Sequence, residues 1–234
     1  MVNLHLQELS FSLFTNSFNP TIYNPRTLLQ GGVIQPDWNF AEEPVYSDRG
    51  VKLVFTNQVR IVAQSNRITF AETIGQKNIQ DILLPQIVQR NLQTFSNLEY
   101  RAVSVNPSGY APFASALETK KYLAQNLLSS APWQTFQDRA ISGVGLKLVY
   151  PYKTGNFYLD INQANVEISQ STTAAIWFAG NFYYQLIEGE NQQQNHGLLN
   201  ILQNWQSDVA NFQDFINQKL LNIATMPSVS LFPL

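Results

Sequence analysis

The chain contains no cysteine, which excludes disulfides, thiolate nucleophiles and cysteine-ligated metals. It has only two histidines, His5 and His196, at opposite ends of the sequence. A metal or acid–base site built on both would require the termini to meet, and neither has a second ligand at binding spacing. Charge is scarce as well: 13% of residues are ionised side chains, about half the usual share. The 14 basic residues are scattered, with Lys120-Lys121 the one adjacent pair, and the net charge is −2. A polyanion binder needs a basic patch or stripe, so nucleic acid is not an expected partner. No long apolar run occurs; the stretch Ala174–Ala179 is far too short to cross a bilayer. The opening Met1-Val-Asn-Leu-His-Leu lacks the basic and apolar regions of a signal peptide. Neither membrane nor export is expected, and the expected setting is cytoplasmic.

What takes the place of charge is amide. There are 23 asparagines and 23 glutamines, more than all ionisable residues together, so neutral hydrogen-bonding groups must solvate much of the surface. Hydrophobic residues make up 44%, enough for a sizeable core.

Periodicity and turn chemistry divide the chain into two stretches, 1–97 and 98–234, read as two copies of one unit. Thr27–Phe55 placed over Tyr122–Tyr150 brings Leu28 onto Leu123, Gln30 onto Gln125, and Gly50-Val-Lys-Leu-Val-Phe55 onto Gly145-Leu-Lys-Leu-Val-Tyr150. Each unit opens with a strand, near Leu4–Leu13 or Leu98–Asn106, and continues into a helix. The second of these helices starts on the capping box Ser115-Ala-Leu-Glu118. A strand meander follows. In the first unit it reads Val51–Thr56, Val59–Gln64 and Arg67–Thr73, with turns at Asn57-Gln58 and Ser65-Asn66. In the second it reads Gly143–Tyr150, Ala174–Phe178 and Phe182–Ile187, with a turn at Ala179-Gly180-Asn181 and a strand-pair insertion at 151–173. A helix closes each unit. Pro85 sets the start or a bend of the first. The second carries Leu198, Leu202, Trp205, Val209, Phe212, Ile216, Leu220 and Ile223 as one apolar stripe. Val229–Phe232 reads as a further edge strand. The expected fold is α+β: two tandem ferredoxin-like β-α-β-β-β-α repeats, with antiparallel sheets and helices on one face.

Lys52-Leu-Val-Phe55, Val59–Gln64, Asn66-Arg-Ile-Thr-Phe70, Tyr100–Asn106 and Tyr158-Leu-Asp-Ile161 together resemble a sporadically distributed bacterial family of uncharacterised proteins. The resemblance covers about two thirds of the chain and implies a similar strand meander and helix. It implies no activity.

No catalytic constellation emerges from the residues. Gly143-Val-Gly145 lacks the third glycine of a dinucleotide fingerprint, since position 148 is Leu and the chain continues as a strand. Among the carboxylates, Glu42-Glu43 precedes Pro44 in a loop. Asp160 interrupts the apolar strand Phe157–Ile161 and is the most conspicuous acid. The amide tract Gln192-Gln193-Gln194 reads as a loop. No catalytic residue, cofactor or metal site is assigned.

Aromatic residues crowd the second half. Trp177 and Phe178 must face opposite sides of their strand, and Tyr183 must oppose Phe182 and Tyr184. One set packs beneath helices, and the other needs different cover. Tyr152, Tyr158, Trp177 and Tyr183 are the candidate anchors of an interaction surface. The expected function is therefore a non-enzymatic binding or protein-interaction protein, engaging a partner protein or a second copy. The alternative is a small-molecule-binding protein or enzyme of the duplicated ferredoxin-like type.

Overall fold

The structure is a computed structural model that describes residues 2–47, 49–128, 131–168, 170–186 and 191–222, the stretch 191–196 by its backbone. Its framework is one antiparallel sheet of nine strands among the described residues. In chain order these are β1 (His5–Thr15), β2 (Val45–Ser47), β3 (Gly50–Val54), β4 (Val59–Gln64), β5 (Arg67–Thr73) and β6 (Tyr100–Pro112). After the small separate hairpin β7 (Thr135–Phe136) and β8 (Arg139–Ala140) come β9 (Gly145–Tyr152), β10 (Gly155–Ile168) and β11 (Ser171–Gln185). The order across the large sheet is β2-β3-β4-β5-β1-β6-β11-β10-β9.

The two tandem ferredoxin-like repeats expected from the sequence are not what forms. β1 and β6, the opening strands of the two expected units, pair with each other from His5↔Tyr110 to Thr15↔Tyr100. Two separate sheets would each have left one of these strands as an edge with unpaired N–H and C=O groups; pairing them satisfies both rows. The expected boundary near residue 97 lies in the connection to β6, and the sheet runs unbroken across it. The arms also differ in build. β4 and β5 have 6 and 7 residues, whereas β10 and β11 have 14 and 15, and β2 extends the first arm beyond β3.

A second correction concerns β11. Ala174–Phe178 and Phe182–Ile187 are not two strands joined by a turn at Gly180-Asn181. One strand runs without a turn from Ser171 to Gln185, and β10 pairs with it from Gly155↔Tyr184 to Ile168↔Ser171; Ile187 lies outside the described residues. The stretch 151–173 is accordingly no inserted strand pair: it holds the end of β9, the single strand β10 over Gly155–Ile168, and the start of β11.

Alternation decides the two faces. Leu9, Phe11 and Leu13 on β1, Ile61 on β4, Phe70 on β5, Val103 and Val105 on β6, Leu159 and Ile161 on β10, and Phe178 on β11 are fully buried on one face. Helices gather over that face: α1 (Pro25–Gln30), α2 (Leu84–Thr94), α3 (Ala116–Lys121), α4 (Asn191–Gln203) and α5 (Trp205–Asp214). α2 begins at Leu84 with Pro85 in its first turn, where the missing N–H costs nothing. Its free N–H groups at Leu83 and Leu84 donate to the buried Glu72 carboxylate at 2.8 and 3.2 Å. The Ser115 hydroxyl caps α3, accepting from the Glu118 N–H at 3.2 Å. The last apolar stripe is buried as expected at Leu198, Leu202, Trp205, Val209, Phe212, Ile216 and Leu220, though it spans α4, α5 and a π-helical turn, Phe215–Leu220. Ile223 and the edge strand expected at Val229–Phe232 lie outside the described residues.

Candidate functional site

On the arm β6-β11-β10-β9, two regions among the described residues bring chemistry-bearing side chains together, one on each face. On the helix side, cross-strand pairing aligns Tyr150 of β9, Phe157 of β10 and Phe182 of β11 in one row. Their rings stack, with centroids 6.0 Å apart for Tyr150–Phe157 and 4.3 Å for Phe157–Phe182. Above them the helix widens. The Leu221 N–H donates to the Ile216 carbonyl, five residues back, at 2.8 Å, and the π turn sets Phe215 edge-on to Tyr150 at 5.4 Å. Such widened turns recur at functional sites because they displace one side chain from the helical ladder. These rings and Tyr152 line a cavity of about 310 Å3, together with the exposed residues Asn211, Asp214, Gln218 and Lys219.

Beside the cavity lies a polar network centred on Asp208, whose side chain is fully buried. The Tyr184 hydroxyl donates to its Oδ2 at 2.6 Å, and the Tyr152 hydroxyl donates to Oδ1 at 3.0 Å. Lys153 Nζ donates to the same Oδ1 at 3.2 Å. Asn211 Nδ2 in turn donates to the Tyr152 hydroxyl at 3.0 Å. Lys153 sits at the β9–β10 turn with a positive φ of 48°, a conformation uncommon for residues other than glycine. Burial pushes the Tyr184 hydroxyl pKa well up, and the hydrogen bond to Asp208 and its charge add to the effect. Burial alone would lower the Lys153 pKa, but the Tyr152 hydroxyl and the Asp208 carboxylate outweigh it, so the ammonium is held more tightly. The network is satisfied internally. It fixes Tyr152 and the β9–β10 turn, and it presents no free acid or base to the cavity.

The four residues expected to anchor an interaction surface divide between the two faces. Tyr152 belongs to the helix side and is tied to Asp208, so it is not a freely exposed anchor. Tyr158, Trp177 and Tyr183 lie on the opposite face, which the helices leave open, and each is half-buried. On that face Ser104 stands between Ser12 and Tyr183. Asn106 pairs with Ser10, and the unbroken β6–β11 register places Asn181 opposite Asn106. The Ser104 hydroxyl and the Oδ1 atoms of Asn106 and Asn181 are buried without a hydrogen-bond partner in the protein.

Asp160, conspicuous in the sequence, lies on this open face and pairs with Lys147 across 3.8 Å, both half-exposed. Such a pair is worth about 0–1 kcal/mol. His5 stacks on Tyr110 at 5.5 Å, and His196 falls within α4. Sequence reasoning missed Asp208. The signal was available: an acid sits directly beside Val209 on the apolar stripe, three residues after Trp205. It also missed Ser104, Asn106 and Asn181, since polar residues alternating along a strand read equally well as a solvated face.

No family model matches the chain, and no curated protein matches it.

Proposed function

We propose that this is a non-enzymatic binding protein, and that its ligand is a small planar aromatic molecule held in the cavity beneath the π turn. The observation that carries this reading is the convergence of five aromatic rings on one space of about 310 Å3, whose other lining residues, Asn211, Asp214, Gln218 and Lys219, are solvent-exposed. Binding sites for small molecules combine these two features, an apolar interior and a few orienting polar groups at its edge. The ring stack Phe182–Phe157–Tyr150 ends at Tyr150, which is 38% exposed, and a planar ligand would continue that stack. Offset stacking contributes about 0.5–1.5 kcal/mol beyond the area it buries. Asp214 and Lys219 supply charges of both signs at the cavity, so the site favours a neutral or zwitterionic ligand.

The reading as a binder and not an enzyme rests on the Asp208 network, whose members bond one another. Dispersed charge argues against nucleic acid as the ligand. The test is a titration with indole, a minimal planar probe, followed by amide chemical shifts. Saturable shifts should cluster at Tyr150–Tyr152 and Asn211–Lys219. Tyr150→Ala should weaken binding by about 1–2 kcal/mol with little change in stability. Shifts that do not saturate, or that fall elsewhere, would reject the site.

A further inference from the structure

We infer that the ligand of the aromatic cavity is a free aromatic α-amino acid, bound as its zwitterion with the ring on the sheet and the head on the helix. The inference rests on the reading of this cavity as a site for a planar aromatic molecule, and it comes from how the two walls differ. The sheet wall is Tyr150, Tyr152, Phe157 and Phe182, and it carries no charge. The helix wall adds one ring, Phe215, and is otherwise polar: Asn211, Asp214, Gln218 and Lys219. A ligand that matches both walls has an aromatic body and a compact polar head on one side. At about 310 Å3 the space lies at the small end of ligand sites, which run from about 300 to 1,000 Å3. One ring system with a short head suits that volume.

The π turn decides what the head must carry. Asp214 and Lys219 are five residues apart, and in α-helical geometry that spacing turns the second side chain about 140° away from the first. Phe215–Leu220 is π-helical instead, and an i→i+5 repeat sets such residues one above the other. An anion and a cation therefore line the same cavity, one turn apart. Among the described residues, neither side chain has a hydrogen bond or an ion pair, with the other or with a third group. An aromatic cation or anion would be attracted by one of them and repelled by the other. A neutral aromatic would answer neither. An α-amino acid answers both, because its ammonium and carboxylate sit on one carbon, a single methylene from the ring. The ammonium would face Asp214 and the carboxylate Lys219. Both protein charges are exposed, so water screens them and each contact adds modestly to what the ring gains. They decide which aromatic is preferred more than how tightly it is held.

The experiment is calorimetric titration of the full chain at low ionic strength with L-tryptophan, tryptamine, indole-3-propionate, N-acetyltryptophanamide and indole. Tryptophan should bind about threefold or more tighter than each of the other four. Asp214→Asn should weaken tryptophan and tryptamine about threefold and strengthen indole-3-propionate. Lys219→Gln should do the reverse, weakening tryptophan and indole-3-propionate and strengthening tryptamine. Indole should bind equally to all three proteins, which shows that the cavity is intact in the variants. Tryptophan binding no tighter than indole, or a preference for it that survives both substitutions, would overturn the inference and leave the cavity an aromatic site. N-acetyltryptophanamide binding as well as tryptophan would assign the cavity to an aromatic side chain of another protein and overturn it equally. Failure of all five probes, indole included, would remove the aromatic site itself and the inference with it.

Discussion

At the scale of single residues, Asp208 shows how a buried charge becomes part of the structure. Its carboxylate is inaccessible to water, yet two tyrosine hydroxyls and one ammonium bond to it. Removing the carboxylate leaves the buried Tyr184 hydroxyl without its acceptor, while the half-exposed Lys153 ammonium can turn to water. Asp208→Ala should therefore lower stability by about 1–3 kcal/mol, read as a shift of the urea midpoint. The same network sets a pH dependence. The pKa values of Tyr184 and Lys153 are both raised in the folded protein, so folding holds their protons more tightly than the unfolded chain does. Such groups contribute stability in full below their unfolded pKa values, about 10 for tyrosine, and lose it as pH rises beyond them. The urea midpoint should stay level from about pH 8 and fall above about pH 10, with Tyr184→Phe making the fall shallower. A midpoint that rises with pH, or a slope unchanged by Tyr184→Phe, would contradict this.

At the scale of elements, β11 is the informative case. Ala179-Gly180-Asn181 has the composition of a turn, and local chemistry alone favours a hairpin there. Packing overrides it. A Cβ on Gly180 would lie 2.8 Å from the ring of Phe212 and 3.3 Å from Pro107, so the glycine lets α5 approach the sheet closely. Phe212 is itself fully buried and has nowhere to move. Gly180→Ala should accordingly destabilise by about 1–3 kcal/mol, the usual cost of overpacking. Adding Phe212→Leu should recover part of the loss in a double-mutant cycle. If Gly180→Ala proves neutral, α5 does not sit where this contact requires. The helical elements were easier to read. Apolar spacing named the buried stripe of α4 and α5 residue by residue, but could not reveal the π turn that displaces Phe215 toward Tyr150. A spacing of three and four is compatible with either helical geometry until a neighbouring surface selects one.

At the scale of the whole molecule, the consequence of a single sheet is cooperativity. Fragments cut near residue 97 would each expose one long strand, β1 or β6, with its ladder unpaired. Unfolding monitored near Trp38, in the first arm, and near Trp177, in the second, should give coincident transitions. Separate midpoints for single-tryptophan variants would show that the seam does not couple the arms. Periodicity and turn residues determined much by themselves: β3, β4 and β5 with their two-residue turns, a helix that starts or bends at Leu84-Pro85, the cap of α3 at Ser115, and the opposition of Trp177 to Phe178 and of Tyr183 to its neighbours. All of these are local, set within a few residues by sterics, capping and alternation. The tertiary structure alone decided that β1 and β6 pair, that Gly180 lies within a strand, that Tyr152 is tied to Asp208, and that Ser104, Asn106 and Asn181 meet on one open face. Each of these joins residues distant in sequence or depends on what another element places nearby, and local spacing carries no record of which distant surface will be there.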